Sequence, residues 1–225
     1  MRLALFDLDQ TLLPIDSDHA WGDFTTELGW TDRGEFQRRN DAFYAQYREG
    51  KLDIRAYLEF ATEAIRRHGI RSAETAREEF MRRIVEPAIR DEALELLASH
   101  QRAGDQLVIV TATNDFVTRP IAQRLGVTEL IAAELERDAA GELTGAVKGV
   151  PSYREGKVIR VEQWLAARGL GWADLEASVF YSDSINDLAL LERVSHPVAT
   201  NADPTLRAVA QQRGWRILDL FAAPT

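Results

Sequence analysis

The chain has 225 residues, of which 45% are hydrophobic and 28% charged, and it contains no cysteine. Its formal net charge of −9 argues against nonspecific nucleic-acid binding, because that needs clustered cations, and the absence of cysteine excludes disulfides and thiolate chemistry. The N-terminal apolar stretch is too short for a signal peptide, and no apolar stretch reaches the length of a membrane span. We therefore expect a cytoplasmic protein that binds neither membrane nor nucleic acid.

The chain begins with a short apolar run, LALF at residues 3–6, which has the length and composition of a strand buried on both faces. From about residue 15 to residue 85 the pattern is helical, and Pro14 and Pro87 flank this segment as expected at a domain junction. The helices predicted within it are 18–28, 33–48, 54–68 and 74–84. The predicted domains are therefore a helical cap, 15–85, inserted after the first strand, and an α/β core, 1–14 and 86–225.

The rest of the chain alternates between predicted strands and helices. The further strands predicted are 107–110 (LVIV), 178–181 (SVFY), 197–200 and 215–218. The helices predicted around them are 88–103, 115–125, 155–168, 184–193 and 203–213. We interpret residues 130–149 as a β-hairpin with its turn at Ala140 and Gly141. The alternation predicts an α/β fold, a doubly wound, Rossmann-like parallel sheet with helices on both faces.

Each of the three main apolar runs is followed by a polar cluster: DLDQT (7–11), TATN (111–114) and SDSIND (182–187). Ligands of open α/β sheets bind beyond the carboxyl ends of the strands, so these clusters are predicted to meet in one crevice. Lys157, at the start of a predicted helix, adds an ammonium group. The carboxylates brought together in this way are Asp7, Asp9, Asp183 and Asp187.

So many carboxylates repel one another unless a cation lies among them. Oxygen ligands without cysteine favour Mg²⁺ over zinc. A Mg²⁺ ion beside a nucleophilic carboxylate suits phosphoryl transfer, in which Asp7 attacks phosphorus while the metal and Lys157 neutralise the phosphate. Asp9 is then the acid and base that protonates the leaving alcohol and later activates water. Metal contact should lower the pKa of Asp7, and neighbouring negative charge should raise that of Asp9.

The DLDQT cluster, Thr111, Lys157 and the SDSIND cluster occur in the order of the four motifs of the haloacid dehalogenase superfamily. The chain resembles that family over essentially its whole length, and its helical insert is similar to the cap of the phosphoserine-phosphatase-like branch, subfamily IB, which includes histidinol-phosphatase-like proteins. The resemblance implies a Mg²⁺-dependent phosphomonoesterase that acts on a small-molecule phosphate ester through an aspartyl-phosphate. We expect it to be a monomer or homodimer.

The same resemblance implies a role for each motif residue. Asp7 matches the nucleophile and a metal ligand, and Asp9 matches the acid and base, with its backbone carbonyl on the metal. Thr111 and Lys157 match the phosphate-binding residues. The remaining matches are Asp183 as a direct metal ligand, Asp187 as a nearby or water-mediated one, and Asn114 as an additional phosphate or substrate contact.

The stretch DSDHAW (16–21) follows the nucleophile motif, where a cap could face the substrate. Asp16, Asp18 and His19 could recognise a substrate amine or hydroxyl. The alternative is a helix start with Asp18 as its N-cap and Trp21 in the core. The stretch has aspartates where phosphoserine phosphatases are expected to have a glutamate, and an acidic entrance suits an aminated ester such as histidinol phosphate.

Three other classes of protein use similar residues. A hydrolytic dehalogenase would not need Asp9, whereas a phosphomutase or phosphotransferase of the same fold is not excluded by any residue. A signalling receiver domain has similar groups, but in another order and in a shorter chain. At Gln10 relatives usually have glycine, and because glutamine tolerates positive φ poorly we expect a negative φ there.

Overall fold

The computed structural model describes residues 1–221, apart from the side chain of Arg48, so residues 222–225 of the predicted core lie outside the description. Six strands form one sheet in the order β3-β2-β1-β6-β7-β8, and every neighbouring pair is parallel. In chain order the strands are β1 (Arg2–Phe6), β2 (Gln106–Asn114), β3 (Glu129–Ala133), β4 (Leu135–Arg137), β5 (Leu143–Val147), β6 (Ala177–Ser182), β7 (His196–Thr200) and β8 (Arg216–Leu218). Strands β4 and β5 pair with each other as a separate antiparallel hairpin.

Strand β1 lies inside the sheet and is buried on both faces, as the run LALF predicted. Leu3 and Leu5 pack into one apolar core, and Ala4 and Phe6 pack into the other. Each buried Leu or Phe side chain contributes about 1.5–3 kcal/mol to folding. The strand is thus held firmly on both sides, and the residues that follow it emerge from a rigid base.

Helices cover both faces of the sheet. On one face, apolar residues of α7 (Asp91–Arg102) and α8 (Asp115–Arg124) belong to the core that contains Phe6. On the other face, α9 (Glu155–Ala166), α10 (Leu188–Arg193) and α11 (Pro204–Arg213) supply residues to the core that contains Leu5. The predicted doubly wound parallel sheet is confirmed.

A run of helices connects β1 to β2. These are α1 (Ser17–Glu27), α2 (Arg33–Arg48), α3 (Ile54–Ala61), α4 (Glu63–His68), α5 (Ile70–Phe80), a π-helical turn (Met81–Val85) and the short α6 (Glu86–Ala88). We call α1–α5 the helical segment. The predicted helix 54–68 is divided at Thr62, whose hydroxyl donates to the carbonyl of Leu58 (2.7 Å), a bond that competes with helix geometry.

Of the predicted boundaries that differ from the structure, two are set by partners distant in sequence. Helix α5 begins at Ile70, not 74, and the Glu142 carboxylate of the hairpin accepts a hydrogen bond from the Ile70 backbone N–H (2.8 Å). The hairpin predicted for 130–149 begins only at Leu135, because 129–133 form the edge strand β3. The run LIAA lacks alternation, which is typical of a buried sheet strand.

Among residues 1–221, no helix combines the length and the apolar character needed to cross a membrane.

Candidate active site

The loop after β1 holds both aspartates of the DLDQT cluster in a fixed arrangement. The N–H of Asp7 continues the sheet by donating to the carbonyl of Tyr181 (2.9 Å). The carbonyl of Leu8 then accepts hydrogen bonds from the N–H groups of Thr11, Leu12 and Leu13, which closes a tight turn. The side chains of Leu8, Leu12 and Leu13 are fully buried. The leucines therefore anchor the loop in the core, while the carboxylates of Asp7 and Asp9 line the cleft.

Lys157 lies between two of the predicted acids. Its Nζ donates to Asp7 Oδ1 (2.8 Å) and to Asp187 Oδ2 (2.7 Å), and the three side chains are 3%, 10% and 4% exposed. Burial lowers the pKa of Lys157, but Asp187 and Asp7 outweigh burial, so its pKa lies above the usual value and the side chain is charged. Ser182 also donates to Asp187 Oδ2 (2.7 Å).

The residue before Lys157 in the first turn of α9 is a glycine, and the packing there leaves no room for a side chain. A Cβ on Gly156 would lie 2.1 Å from the carbonyl oxygen of Pro151. The first turn of α9 can therefore approach the preceding loop closely, and Lys157 points from that turn towards Asp7.

Thr11 links the first and last polar clusters. Its Oγ1 lies 3.2 Å from Asp183 Oδ1 and 3.4 Å from Asp7 Oδ2, and it accepts a hydrogen bond from the Asp183 N–H (3.0 Å). Burial, followed by repulsion from Asp7 and Asp187, raises the pKa of Asp183 well above its usual value. Thr11 was not among the predicted site residues, although its place at the end of DLDQT was the available signal.

The donor set of Asp7 and Asp183 fits Mg²⁺. Burial raises the pKa of both carboxylates, and repulsion from Asp187 at Asp7 and from Asp7 at Asp183 adds to it, which is the environment that a cation would relieve. Among the described residues, no group of three or more His, Cys, Asp or Glu side chains is arranged to hold a metal. Two carboxylates are the number that a Mg²⁺ site commonly uses, with water and substrate phosphate as the other ligands.

Asp9 has a different environment from Asp7. Its Oδ1 accepts from the Ser17 N–H (2.7 Å) and its Oδ2 from the Thr113 hydroxyl (2.8 Å). Burial, then the charge of Asp16, raises the pKa of Asp9 to about 8. Burial also raises the pKa of Asp7, to about 6, against the opposing charge of Lys157. Asp7 therefore ionises at a lower pH than Asp9. For both groups, burial shifts the pKa more than the neighbouring charges that we had considered.

The TATN cluster contributes in two ways. Thr111 is buried and lines the cleft, and its hydroxyl accepts from the Thr113 N–H (3.2 Å). Asn114 instead caps α8, with Oδ1 accepting from the Val117 N–H (3.1 Å), and its amide nitrogen donates to Asp18 Oδ1 (3.1 Å). Asn114 therefore positions Asp18 and is not among the described residues that line the cleft, where we expected it to contact phosphate or substrate.

A cleft of about 700 Å³ lies between these residues and the helical segment. Its lining on the side of the helical segment is acidic and aromatic, with residues Asp16, Asp18, Asp23, Asp41, Phe43 and Tyr44. Of the lysines and arginines in residues 1–221, Lys157 alone lines it. The cleft therefore offers a cation beside Asp7 and an anionic surface on the helical segment.

The three residues predicted to meet the substrate differ in environment. Asp16, not Asp18, is the N-cap of α1, accepting from the N–H groups of Asp18 (3.1 Å) and His19 (2.9 Å). The side chain of His19 is partly exposed and lies 3.3 Å from Asp23. Trp21 is buried in the core. All three predicted residues line the cleft, and Asp18 is the buried one.

The Asn variant at Asp18 should make the protein more stable at neutral and alkaline pH. Burial, then the charge of Asp16, raises the pKa of Asp18 to about 7 from the ordinary 3.8. Between these values the folded state binds more protons than the unfolded state, so the free energy of unfolding falls as pH rises. At about 1.4 kcal/mol per pKa unit, Asp18→Asn should gain up to about 4 kcal/mol above pH 7 and little below about pH 4.

Urea unfolding across this pH range measures the effect. Asp23→Asn is the control, because Asp23 lies on the same helix with its side chain 64% exposed. A difference between Asp18→Asn and the unsubstituted protein that stays constant with pH would contradict the argument.

The expectation of a negative φ at Gln10 is wrong. Gln10 has φ 58°, in the left-handed region, which costs a non-glycine residue about 1–2 kcal/mol. Its N–H donates to the carbonyl of Ile15 (3.2 Å), and its carbonyl accepts from Asn201 Nδ2 (2.9 Å). Asn201 is itself left-handed, with φ 50°. These hydrogen bonds hold Gln10 in the left-handed conformation although it is not a glycine.

Comparisons with known proteins agree with this geometry. The family model described as haloacid dehalogenase-like hydrolase matches residues 4–192. A histidinol-phosphatase from Neisseria meningitidis serogroup C is 41% identical over 218 residues, which cover 97% of this chain and 98% of that protein. The crystal structure of a protein with unknown function from Bordetella pertussis Tohama I has a TM-score of 0.92 and 48% identity, covering 98% of this chain and 99% of that one.

A more distant solved structure shares the fold. A substrate-bound phosphoserine phosphatase complex has a TM-score of 0.69 at 21% identity, covering 96% of this chain and 92% of that one.

Proposed function

This chain belongs to the haloacid dehalogenase-like hydrolases and is a phosphoric monoester hydrolase, and from that premise we propose that it hydrolyses a small-metabolite phosphate ester through an aspartyl-phosphate on Asp7. One observation carries the proposal: charged Lys157 contacts Asp7, while Asp9, two residues further on, has its pKa raised to about 8. A carboxylate and a carboxylic acid therefore stand side by side at neutral pH, as a nucleophile and its acid partner require.

Each residue of the site has a separate role in the proposed reaction. Lys157 and Thr111 bind the phosphate, and Lys157 keeps the carboxylate of Asp7 oriented towards phosphorus. Asp9 donates its proton to the leaving oxygen and then removes a proton from the water that cleaves the acyl phosphate. Asp7 and Asp183 would hold Mg²⁺, which when bound neutralises charge on the transferred phosphate. Asp187 holds Lys157 in place from the other side.

The acidic lining of the cleft on the helical segment supports an aminated leaving group. Its carboxylates, among them Asp16, Asp18 and Asp23, offer partners to a cation, and Phe43 and Tyr44 offer apolar faces. The relative named histidinol-phosphatase is consistent with this chemistry. We place histidinol phosphate first among candidate substrates and phosphoserine second.

We also propose that residues 15–85, which contain the helical segment, form a cap domain over a core of residues 1–14 and 86–225. Its helices line the cleft from the side opposite the sheet, so that closure would exclude water from the first transfer step.

A panel of phosphate esters, assayed for inorganic phosphate release with and without Mg²⁺, tests this function. We expect activity that needs Mg²⁺ and is highest for aminated esters, and none above background for Asp7→Asn, which keeps the side-chain shape but lacks the nucleophile. Activity in that variant would refute the aspartyl-phosphate route. Activity unaffected by a chelator would refute the metal assignment, and transfer to a second alcohol without phosphate release would identify a phosphotransferase instead.

A further inference from the structure

Two unlike contacts join α2 and α3 to the rest of the protein, whereas α1 and α5 pack into the main apolar core. On one side, α3 packs against the β4–β5 hairpin, and Leu58, Ala133 and Val147 form a small buried apolar cluster. Arg55 adds hydrogen bonds to the carbonyls of Val147 (3.4 Å) and Gly149 (2.9 Å). Because this contact buries apolar surface, it is expected to persist when the cleft opens.

The other attachment, at the end of α2, is polar. The Tyr47 hydroxyl donates to Ser184 Oγ (3.1 Å), and the Asn186 amide donates to the Tyr47 carbonyl (3.0 Å). The Arg154 guanidinium donates to the carbonyl of Gly50. We call these five residues the latch. A Cβ on Gly50 would lie 3.5 Å from Arg154 and 3.6 Å from Asn186, so the backbone itself meets both side chains.

The core side of the latch is built into the catalytic elements. Ser184 and Asn186 lie between Asp183 and Asp187 in the SDSIND cluster, and Arg154 lies just before the helix that carries Lys157. The Ser184 hydroxyl also accepts from the Asn186 N–H (3.2 Å), which shapes the same loop. A contact that holds the latch residues therefore also holds the loop that positions the acids.

We propose that Tyr47 is a positioning residue: by latching α2 onto Ser184 and Asn186, it couples closure of the cleft to the arrangement of the loop carrying Asp183 and Asp187. Each latch bond is an ordinary hydrogen bond, of the kind that contributes about 0.5–1.5 kcal/mol net. Bonds of this strength hold the cleft closed but can break when it opens. In this arrangement α2 moves, while the contact between α3 and the hairpin stays in place.

The environment of the Tyr47 hydroxyl agrees with this role. Burial, then the charges of Asp187, Asp183 and Asp7, raises the pKa of Tyr47 well above its usual value. The phenol remains a neutral donor, so it can hold Ser184 across the working pH range.

Hydrogen exchange of the free protein tests the latch without relying on the proposed reaction. In Tyr47→Phe, amides of residues 46–52 should exchange roughly threefold to tenfold faster, as expected for the loss of one hydrogen bond, while those of α3 and β5 do not change. Ser184→Ala should give the same pattern from the core side. Tyr44→Phe is the control, because Tyr44 lies on the same helix and lines the same cleft but is 51% exposed.

Turnover gives a second, independent measurement. Tyr47→Phe should lower kcat/KM by a similar factor, and adding it to Ser184→Ala should lower kcat/KM little further, because Ser184→Ala already removes the Tyr47–Ser184 contact. Unchanged exchange at residues 46–52, or an equal rise throughout the protein, would overturn the latch. Full additivity of the two variants would overturn the coupling to the catalytic loop. If no ester is hydrolysed, the exchange result still decides whether the latch exists.

Discussion

Replacing Asp9 with Asn should lower kcat by roughly 10²–10⁴-fold, the usual contribution of a single acid–base group, while leaving the fold intact. The side-chain oxygen of Asn can still accept from the Ser17 N–H, and its amide can donate to the Thr113 hydroxyl, so both bonds of Asp9 have substitutes. What disappears is a proton held with a pKa of about 8. Near-normal turnover in Asp9→Asn would show that the acid–base role belongs to another group.

The choice of substrate separates the two functions of Asp9. An ester with an acidic leaving group, such as p-nitrophenyl phosphate, hardly needs protonation as it departs, so the first step should largely recover. Hydrolysis of the aspartyl-phosphate still needs a base, so the intermediate should accumulate. Rapid quenching and mass measurement of the protein should show a phosphate adduct on Asp7. Thr113→Val is the matched control, since it removes a partner of Asp9 but leaves the carboxyl group in place.

Replacing Lys157 with Met should affect both activity and stability. The substitution leaves the buried carboxylates of Asp7 and Asp187 without their shared cation, and breaking such a pair costs about 3–5 kcal/mol. Loss of a charge aimed at the phosphate should lower kcat/KM by roughly 10²–10³-fold.

Unfolding in urea and turnover with saturating Mg²⁺ would measure the two effects separately. Lys148→Met is the control, because Lys148 is 73% exposed and lies 3.9 Å from Glu134 on the surface; its stability should change by no more than about 0.5 kcal/mol. If Lys157→Met were as stable as this control, Lys157 would not be compensating the buried charge.

The sheet and the meeting of the polar clusters could be predicted because they follow from local rules. An apolar run without alternation implies a strand buried on both faces, and parallel strands bring their carboxyl ends together. These two rules were enough to place Asp7 and Asp183 in one crevice, whereas Lys157 was added because it lies at the start of a predicted helix. The pairing of Lys157 with both Asp7 and Asp187 could not be predicted, because three segments far apart in sequence determine it.

The features that sequence reasoning missed depend on partners that no local pattern reveals. Helix α5 begins early because Glu142, from the hairpin, accepts from its first N–H. Asn114 was expected at the phosphate but is held by Asp18 and by the first turn of α8. The residues of the latch are ordinary surface types when read in sequence, and only the approach of α2 to the SDSIND loop gives them a shared role.

The paired left-handed residues Gln10 and Asn201 connect the loop of Asp7 and Asp9 to the segment after β8. Asn201 donates to the carbonyl of Gln10, and its own oxygen accepts from the N–H groups of Leu220 (2.7 Å) and Phe221 (3.2 Å). One amide side chain therefore bridges the turn beside the two aspartates and that segment. Truncations or fusions that displace Leu220 and Phe221 would loosen the loop of Asp7 and Asp9 without touching the cleft, so an affinity tag for kinetic work is better placed away from that segment.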